Sequence, residues 1–281
     1  MVQPKVPPYF DHLIEGFQRG EVGRFVHLGH WDEPPPSDQP PVAGELERAQ
    51  ERLDDLLLDM ARLEDRQAVL DVGCGFGGSI ARINERHRGM RLVGVNVDPR
   101  QLDICRRIEP ANRNLIEWKQ ADACDLPFPE RAFERLLCIE AMFHFASRRR
   151  FFREAARLLR PGGVLVASDI VLTESARRLD VPRHVVEAPL QDGFGPWPDP
   201  WGDEGDHREL ALEAGLRPDL VHDATASTCP SHRFTVPSGE SWAPGEPAAS
   251  APVMLKWLHR GGHVKYLCLR FTKPPAGGGA A

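Results

Sequence analysis

The chain has 281 residues, of which 41 % are hydrophobic and 27 % charged, and carries a formal net charge of -6. Those proportions suit one large α/β domain, or one domain with a sizeable lid. The acidic balance argues against a nucleic-acid partner, and no stretch reaches the ~18 apolar residues that span a bilayer.

The opening MVQPKVPPYF has no apolar leader core, so a cytoplasmic location is expected. Residues 8–19 place Tyr9, Phe10, Leu13, Ile14 and Phe17 on one face, which predicts a short amphipathic helix. Residues 32–42, DEPPPSDQPPV, read as a proline-rich linker that cannot be helical. Residues 44–63 carry Leu46, Leu53, Leu56, Leu57 and Met60 at helical spacing. From residue 67 the pattern alternates. AVLDV, RLVGVNV, NLIEWKQ, FERLLCIE and GGVLVASDIVL read as strands, and GGSIARINERH, RQLDICRRI and RRFFREAARLL as helices. Such alternation implies a parallel sheet covered on both faces, with ligands beyond the carboxyl ends of the strands. The run Arg148, Arg149, Arg150 reads as a solvated helix start.

Beyond residue 171, DHRELALEAGL reads as a helix, and RPDLVHDA and HVKYLCLRFTK as late strands. Residues 186–205, with Phe194, Trp197 and Trp201, and residues 226–252 read as long loops that either cover a site or are disordered. Cys74, Cys105, Cys124, Cys138, Cys229 and Cys268 form no C-x-x-C pair, so reduced thiols are expected and neither a disulfide framework nor a zinc site.

The stretch VLDVGCGFGGSI, residues 69–80, lies between a strand and a helix. Gly73, Gly75 and Gly78 satisfy G-x-G-x-x-G, a turn at which a ligand touches the backbone and a helix N-terminus offers free N–H groups. A dinucleotide and S-adenosylmethionine both suit such a turn. A dinucleotide site wants an acid about 20 residues further on, where Asn96 stands. Asp71 precedes the glycines in D-x-G-x-G-x-G. The third strand runs into ADACDLPF, the fourth into CIEAMFHF, and the next helix into LLRPGGVLVASD.

This order of landmarks resembles the class I S-adenosylmethionine-dependent methyltransferases over residues 67–173. The resemblance implies an α/β fold: a doubly wound, mostly parallel seven-stranded sheet with an N-terminal helical lid. It divides the chain into a lid and linker over 1–43, a cofactor-binding domain over 44–273, and a disordered tail over 274–281. Lid insertions are expected near 174–205 and 226–260. Carried over from the family, the methionine part of the cofactor falls to Asp71, Gly73, Cys74, Gly75 and Gly77. The ribose falls to Asn96, where most of the family has an acid, and to Gln101, with Asp98 as an alternative. The adenine falls to Asp122 and Ala123.

An activated methyl needs an aligned nucleophile and, for most acceptors, a group that takes a proton. Glu140 and His144 follow the fourth strand. His144 is the expected general base, and Glu140 is expected to bind the cofactor or orient the histidine. Asp169, at the end of the fifth strand, is expected to pair with a histidine. The stretch FVHLGHWDEP resembles the lid segment of small-molecule members of the family, so His27, His30, Trp31 and Phe143 are expected around the substrate. His27, His30 and Asp32 lack a partner cluster, so no metal site is expected.

The reading is O-methylation of a small secondary metabolite. The alternative is C-methylation of an isoprenoid or other alkene through a carbocation, with Trp31, Phe143 and Trp197 facing the cation and Glu140 or His144 removing the proton. A homodimer is open to the chain. Neither the assembly nor the acceptor is written in the sequence.

Overall fold

A computed structural model describes residues 6, 7, 9–35, 42, 44–197, 204–236, 239–246 and 249–275, without the side chains of 204 and 205. In chain order the elements are α1 (Tyr9–Arg19), α2 (Glu45–Ala61), β1 (Ala68–Val72), α3 (Gly78–Arg86), β2 (Arg91–Asn96), α4 (Pro99–Cys105), β3 (Leu115–Gln120), β4 (Phe133–Ile139), α5 (Arg148–Leu158), β5 (Leu159–Leu172), α6 (Glu174–Arg177), α7 (Arg183–Phe194), α8 (Glu204–Glu213), β6 (Arg217–Asp223), α9 (Thr225–Thr228), α10 (His232–Thr235), α11 (Ala251–Arg260) and β7 (Val264–Thr272).

The strands form one seven-stranded sheet in the order β3-β2-β1-β4-β5-β7-β6. It is parallel except at β7, which runs antiparallel to β5 and β6. The doubly wound, mostly parallel sheet is therefore as expected. Its central strands are continuous apolar runs because both faces are covered. Leu53, Leu57, Ile80, Ile83, Leu190 and Met254 bring α2, α3, α7 and α11 onto one face. Phe151, Phe152, Ala155 and Ala211 bring α5 and α8 onto the other. Each fully buried leucine contributes roughly 1.5–3 kcal/mol relative to an exposed one. Edge strand β3 leaves Leu115 65 % exposed but carries Glu117 and Lys119, charges that discourage a further strand from pairing.

Helices α7, α9 and α10 fall largely in stretches expected to be loops, and α11 begins at the end of one. In α7, Val186, Pro189 and Leu190 are buried at helical spacing, and the proline and Gly193 disguise the period. Gly193 permits contact with α11: a Cβ there would lie 2.3 Å from that of Ala251. α11 takes a proline into its first turn, where a missing N–H loses no helical bond. The run Arg148–Arg150 does start a helix with Arg149 and Arg150 exposed, but Arg148 is buried. Most of the proline-rich linker (36–41), Trp201 and most of the expected tail (276–281) lie outside the described residues. Among the described residues no helix is long and apolar enough to cross a membrane.

Strand order reverses between β1 and β4, so their carboxyl ends diverge into a crevice. The N-terminal segment crosses it. Leu28 N–H donates to Glu140 Oε2 at 2.9 Å, just past β4. Gly29 N–H and Trp31 Nε1–H donate to Ser231 Oγ at 2.8 and 3.0 Å.

Candidate active site

The crevice holds a cavity of about 360 Å³, walled by the ends of β1, β2 and β4, by α1 and residues 24–27, and by the end of α7. Of the residues expected at a site, Asp71, Gly73, Cys74, Gly75, Asn96, Gln101, Asp122, Ala123, Glu140, His144 and His27 line it. Gly73 and Gly75 have φ of 79° and 51°, a region that favours glycine. The N–H groups of Gly73 and Cys74 donate to Val95 O at 2.8 and 3.0 Å and tie the loop to β2. Gly77 precedes α3 behind this wall. Burial, helped by the charge of Asp54, pushes the Asp71 carboxyl up to about 8.

At the end of β2, Asn96 is turned onto its own chain. Its Oδ1 accepts from Asp98 N–H at 3.1 Å, and its Nδ2 donates to Gln101 Oε1 at 2.9 Å. The pair thereby presents Gln101 Nε2, a buried donor with no partner among the described residues. Asp98 caps α4 and pairs with Arg100. Asp122 Oδ1 accepts from Cys124 N–H at 2.8 Å, which fixes the turn after β3.

The other end of the cavity carries the groups able to move a proton. His144 ends a short 3-10 turn, Met142–His144. Its Nδ1–H donates to Phe194 O, and its Nε2 accepts from the Tyr9 hydroxyl at 2.8 Å. Burial lowers the imidazole to about 4, so it is neutral at pH 7. Burial and the charge of Glu140 push Tyr9 well above the usual phenol range. Glu140 itself has φ of 49°. Its N–H donates to Ser168 O and Oγ at 3.1 and 2.9 Å. Burial raises its carboxyl to about 7, tempered by Leu28 N–H and the Tyr266 hydroxyl.

Asp169 does not border the cavity. Its carboxylate is fully buried against Arg148 Nε at 2.7 Å and His207 Nε2 at 2.8 Å. Burial pushes its pKa up, and those two partners more than offset this, holding it below the usual carboxylate range. It pairs with a histidine as expected, but with His207 rather than His144. Three of the four expected substrate-lid residues also lie elsewhere. Trp31 stacks on Phe234 at 5.1 Å and bonds Ser231. His30 lies 3.6 Å from Asp32. Phe143 is buried, stacked on Trp197 at 4.8 Å. Long-range packing, invisible in local spacing, decides Trp31 and Phe143. Arg24, Gln191 and Asp192 line the cavity without having been anticipated. The amphipathic face of α1 marked Tyr9 and Phe10 as part of the N-terminal lid, in the core of that lid or lining the pocket, but carried no sign of the Tyr9 hydroxyl's partner; both line the cavity.

His27 Nδ1–H donates to Leu28 O at 2.7 Å, and its Nε2 is buried without a partner among the described residues. Burial lowers this imidazole too, to about 4. Gln101 Nε2 and His27 Nε2 are thus two unsatisfied buried nitrogens in residues that wall one cavity, as a polar ligand requires.

Residues 70–167 match the family of the methyltransferase domain. The chain is 30 % identical to the 27-O-demethylrifamycin SV methyltransferase of Amycolatopsis mediterranei, over 74 % of this chain and 72 % of that protein. The chain belongs to the class I S-adenosylmethionine-dependent methyltransferases. It is 37 % identical to methyltransferase GfsG of Streptomyces halstedii, over 60 % of this chain but only 58 % of that protein. It thus spans little more than half the length of that relative. The fold is shared with geranyl diphosphate C-methyltransferase from Streptomyces coelicolor, solved with Mg2+, geranyl diphosphate and S-adenosyl-L-homocysteine. The TM-score is 0.70 at 19 % identity, covering 96 % of this chain and 100 % of that one. S-adenosylmethionine is the cofactor of this methyltransferase, and the polar lining of the cavity fits it.

Proposed function

We propose that this methyltransferase transfers a methyl group to a hydroxyl of a small natural product, with His144 as the general base and Tyr9 carrying the proton to it. The observation that supports this most is the 2.8 Å hydrogen bond between the Tyr9 hydroxyl and His144 Nε2 at the cavity wall. Because Nδ1–H is committed to Phe194, Nε2 holds the lone pair and Tyr9 donates to it. An acceptor hydroxyl that donates to the Tyr9 oxygen passes its proton along, and Tyr9 ends neutral. When bound, the cofactor supplies a methyl group on positively charged sulfur. His144 gains its positive charge as the sulfur loses one, so the buried site acquires no added net charge. That exchange offsets the burial that otherwise disfavours imidazolium.

In this reading Asp71 faces the cofactor's ammonium, Gln101 its ribose and Asp122 its adenine amine. α1 and residues 24–31 form the cover that excludes water. The acidic chain and the name of the Amycolatopsis relative both favour a small-molecule acceptor over nucleic acid.

Labelled S-adenosylmethionine and panels of phenols, sugars and prenyl diphosphates test the proposal. An acceptor should gain one methylene on oxygen, and His144→Gln should abolish the gain. Transfer to carbon is the second reading. It is favoured by Glu140, which burial raises to about 7 beside the cavity, and by the rings of Tyr9, Phe10 and Phe145 in its wall. Trp31, Phe143 and Trp197, expected to face a cation, do not border the cavity. A product methylated at carbon, with loss of turnover in Glu140→Gln, would establish that reading instead.

A further inference from the structure

The N-terminal segment sits directly on the glycine loop. A Cβ built on Gly75 would lie 2.9 Å from Val26 Cγ2, and one on Gly78 would lie 2.6 Å from the Phe25 ring. Residue 27 is held at both ends. Its carbonyl accepts from Gln50 Nε2 at 2.7 Å, and the next N–H donates to Glu140 Oε2 at 2.9 Å. His27 therefore stands between the loop at the end of β1 and the acid at the end of β4. Its Nδ1–H is spent on Leu28 O, which leaves Nε2 as a lone-pair acceptor, buried and without a partner among the described residues. Three residues earlier, Arg24 also lines the cavity, and its Nη1 donates to Phe76 O of the glycine loop at 3.1 Å.

A neutral buried acceptor beside the glycine loop calls for a donor from the ligand, and the nearest guanidinium calls for an anion. We propose that residues Arg24 and His27 clamp the amino-acid end of the cofactor, His27 Nε2 accepting from its ammonium and Arg24 meeting its carboxylate. His27 is then a cofactor-binding residue and not part of the acceptor pocket. The clamp rests on the cofactor alone, so it stands or falls separately from the oxygen-transfer reading.

Titration calorimetry on the full chain tests it with three probes: S-adenosylhomocysteine, its analogue without the amino group, and 5′-methylthioadenosine, which lacks the amino acid. Wild-type protein should bind the first about tenfold or more tightly than the second. Equal affinity would overturn the clamp without any variant being made. His27→Leu should cut that preference at least about threefold, Asp71 still facing the ammonium, and Arg24→Met should weaken S-adenosylhomocysteine, while both leave 5′-methylthioadenosine within about twofold. His27→Gln, which keeps an acceptor oxygen, should restore part of the preference. Equal weakening of all three probes in His27→Leu would mean that His27 only supports the wall, and would also overturn the clamp.

Discussion

The sheet side of the cavity and its helical cover are built by different means. On the sheet side, partners are close in the chain: Asn96 and Gln101 are 5 residues apart, and the glycine loop folds back on β2 through Val95 O. On the cover, Tyr9 and His144 are 135 residues apart, and Gly29 and Ser231 are 202 apart. Local geometry thus shapes the sheet side of the cavity, whereas the Tyr9–His144 pair proposed to move the proton exists only once the whole chain has closed. Damage to the seat, with the Arg24 and His27 clamp proposed for it, should be read in cofactor affinity, and damage to the Tyr9–His144 pair in turnover.

The largest effect lies beneath both regions. Asp169→Asn removes the negative charge that Asp169 supplies to buried Arg148 and His207, and should cost about 3–5 kcal/mol in a urea unfolding experiment. A loss under 1 kcal/mol would mean that the cluster does not hold β5, α5 and α8 together. Next comes Tyr9→Phe, which keeps the ring but breaks the bond to His144. Turnover on an identified acceptor should fall about 100-fold, with the affinity for S-adenosylhomocysteine unchanged. Unchanged turnover would leave Tyr9 as packing only.

The third effect is on pH. Asp71 and Glu140 bind protons more tightly folded, at about 8 and about 7, than in the unfolded chain. The stability they give is complete at low pH and is lost as pH rises through those values. His27 and His144 are lowered to about 4, so their contribution is present above the ordinary imidazole range and is lost as pH falls toward 4. The ligand-free protein should therefore lose about 1–2 kcal/mol between pH 6.5 and 8, and Asp71→Asn should flatten most of that decline. A slope unchanged in the variant would place the titration elsewhere. The smallest effect on affinity is Gln101→Ala, which should weaken S-adenosylhomocysteine several-fold, by about 1 kcal/mol.

The same division governs how much of the molecule could be read from its sequence. The parallel strands, the glycine loop and the residues at its rim follow from apolar runs, glycine spacing and strand ends, all local signals. Even there, the inward turn of Asn96 onto Asp98 and Gln101 was not visible, because a side-chain amide serves ligand and backbone equally well. The cover was far less legible. α7 conceals its period behind Pro189 and Gly193, and α11 begins in a Pro-, Ser- and Gly-rich stretch. Asp169 was rightly expected to meet a histidine. Which histidine depends on α8 packing against α5, and no spacing encodes that. Trp31 was expected at the substrate because its stretch resembles the family's lid segment, and Phe143 was grouped with it. Both are instead buried against other rings, Trp31 on Phe234 and Phe143 on Trp197, where their apolar area is worth more.

His144→Gln, carried through two readouts, addresses the separation of seat and base most directly. S-adenosylhomocysteine should bind within about twofold of wild type, while single-turnover methylation of an identified hydroxyl acceptor falls at least about 100-fold at pH 7. Full-rate methylation by the variant, or a loss of cofactor affinity as large as the loss of rate, would contradict it.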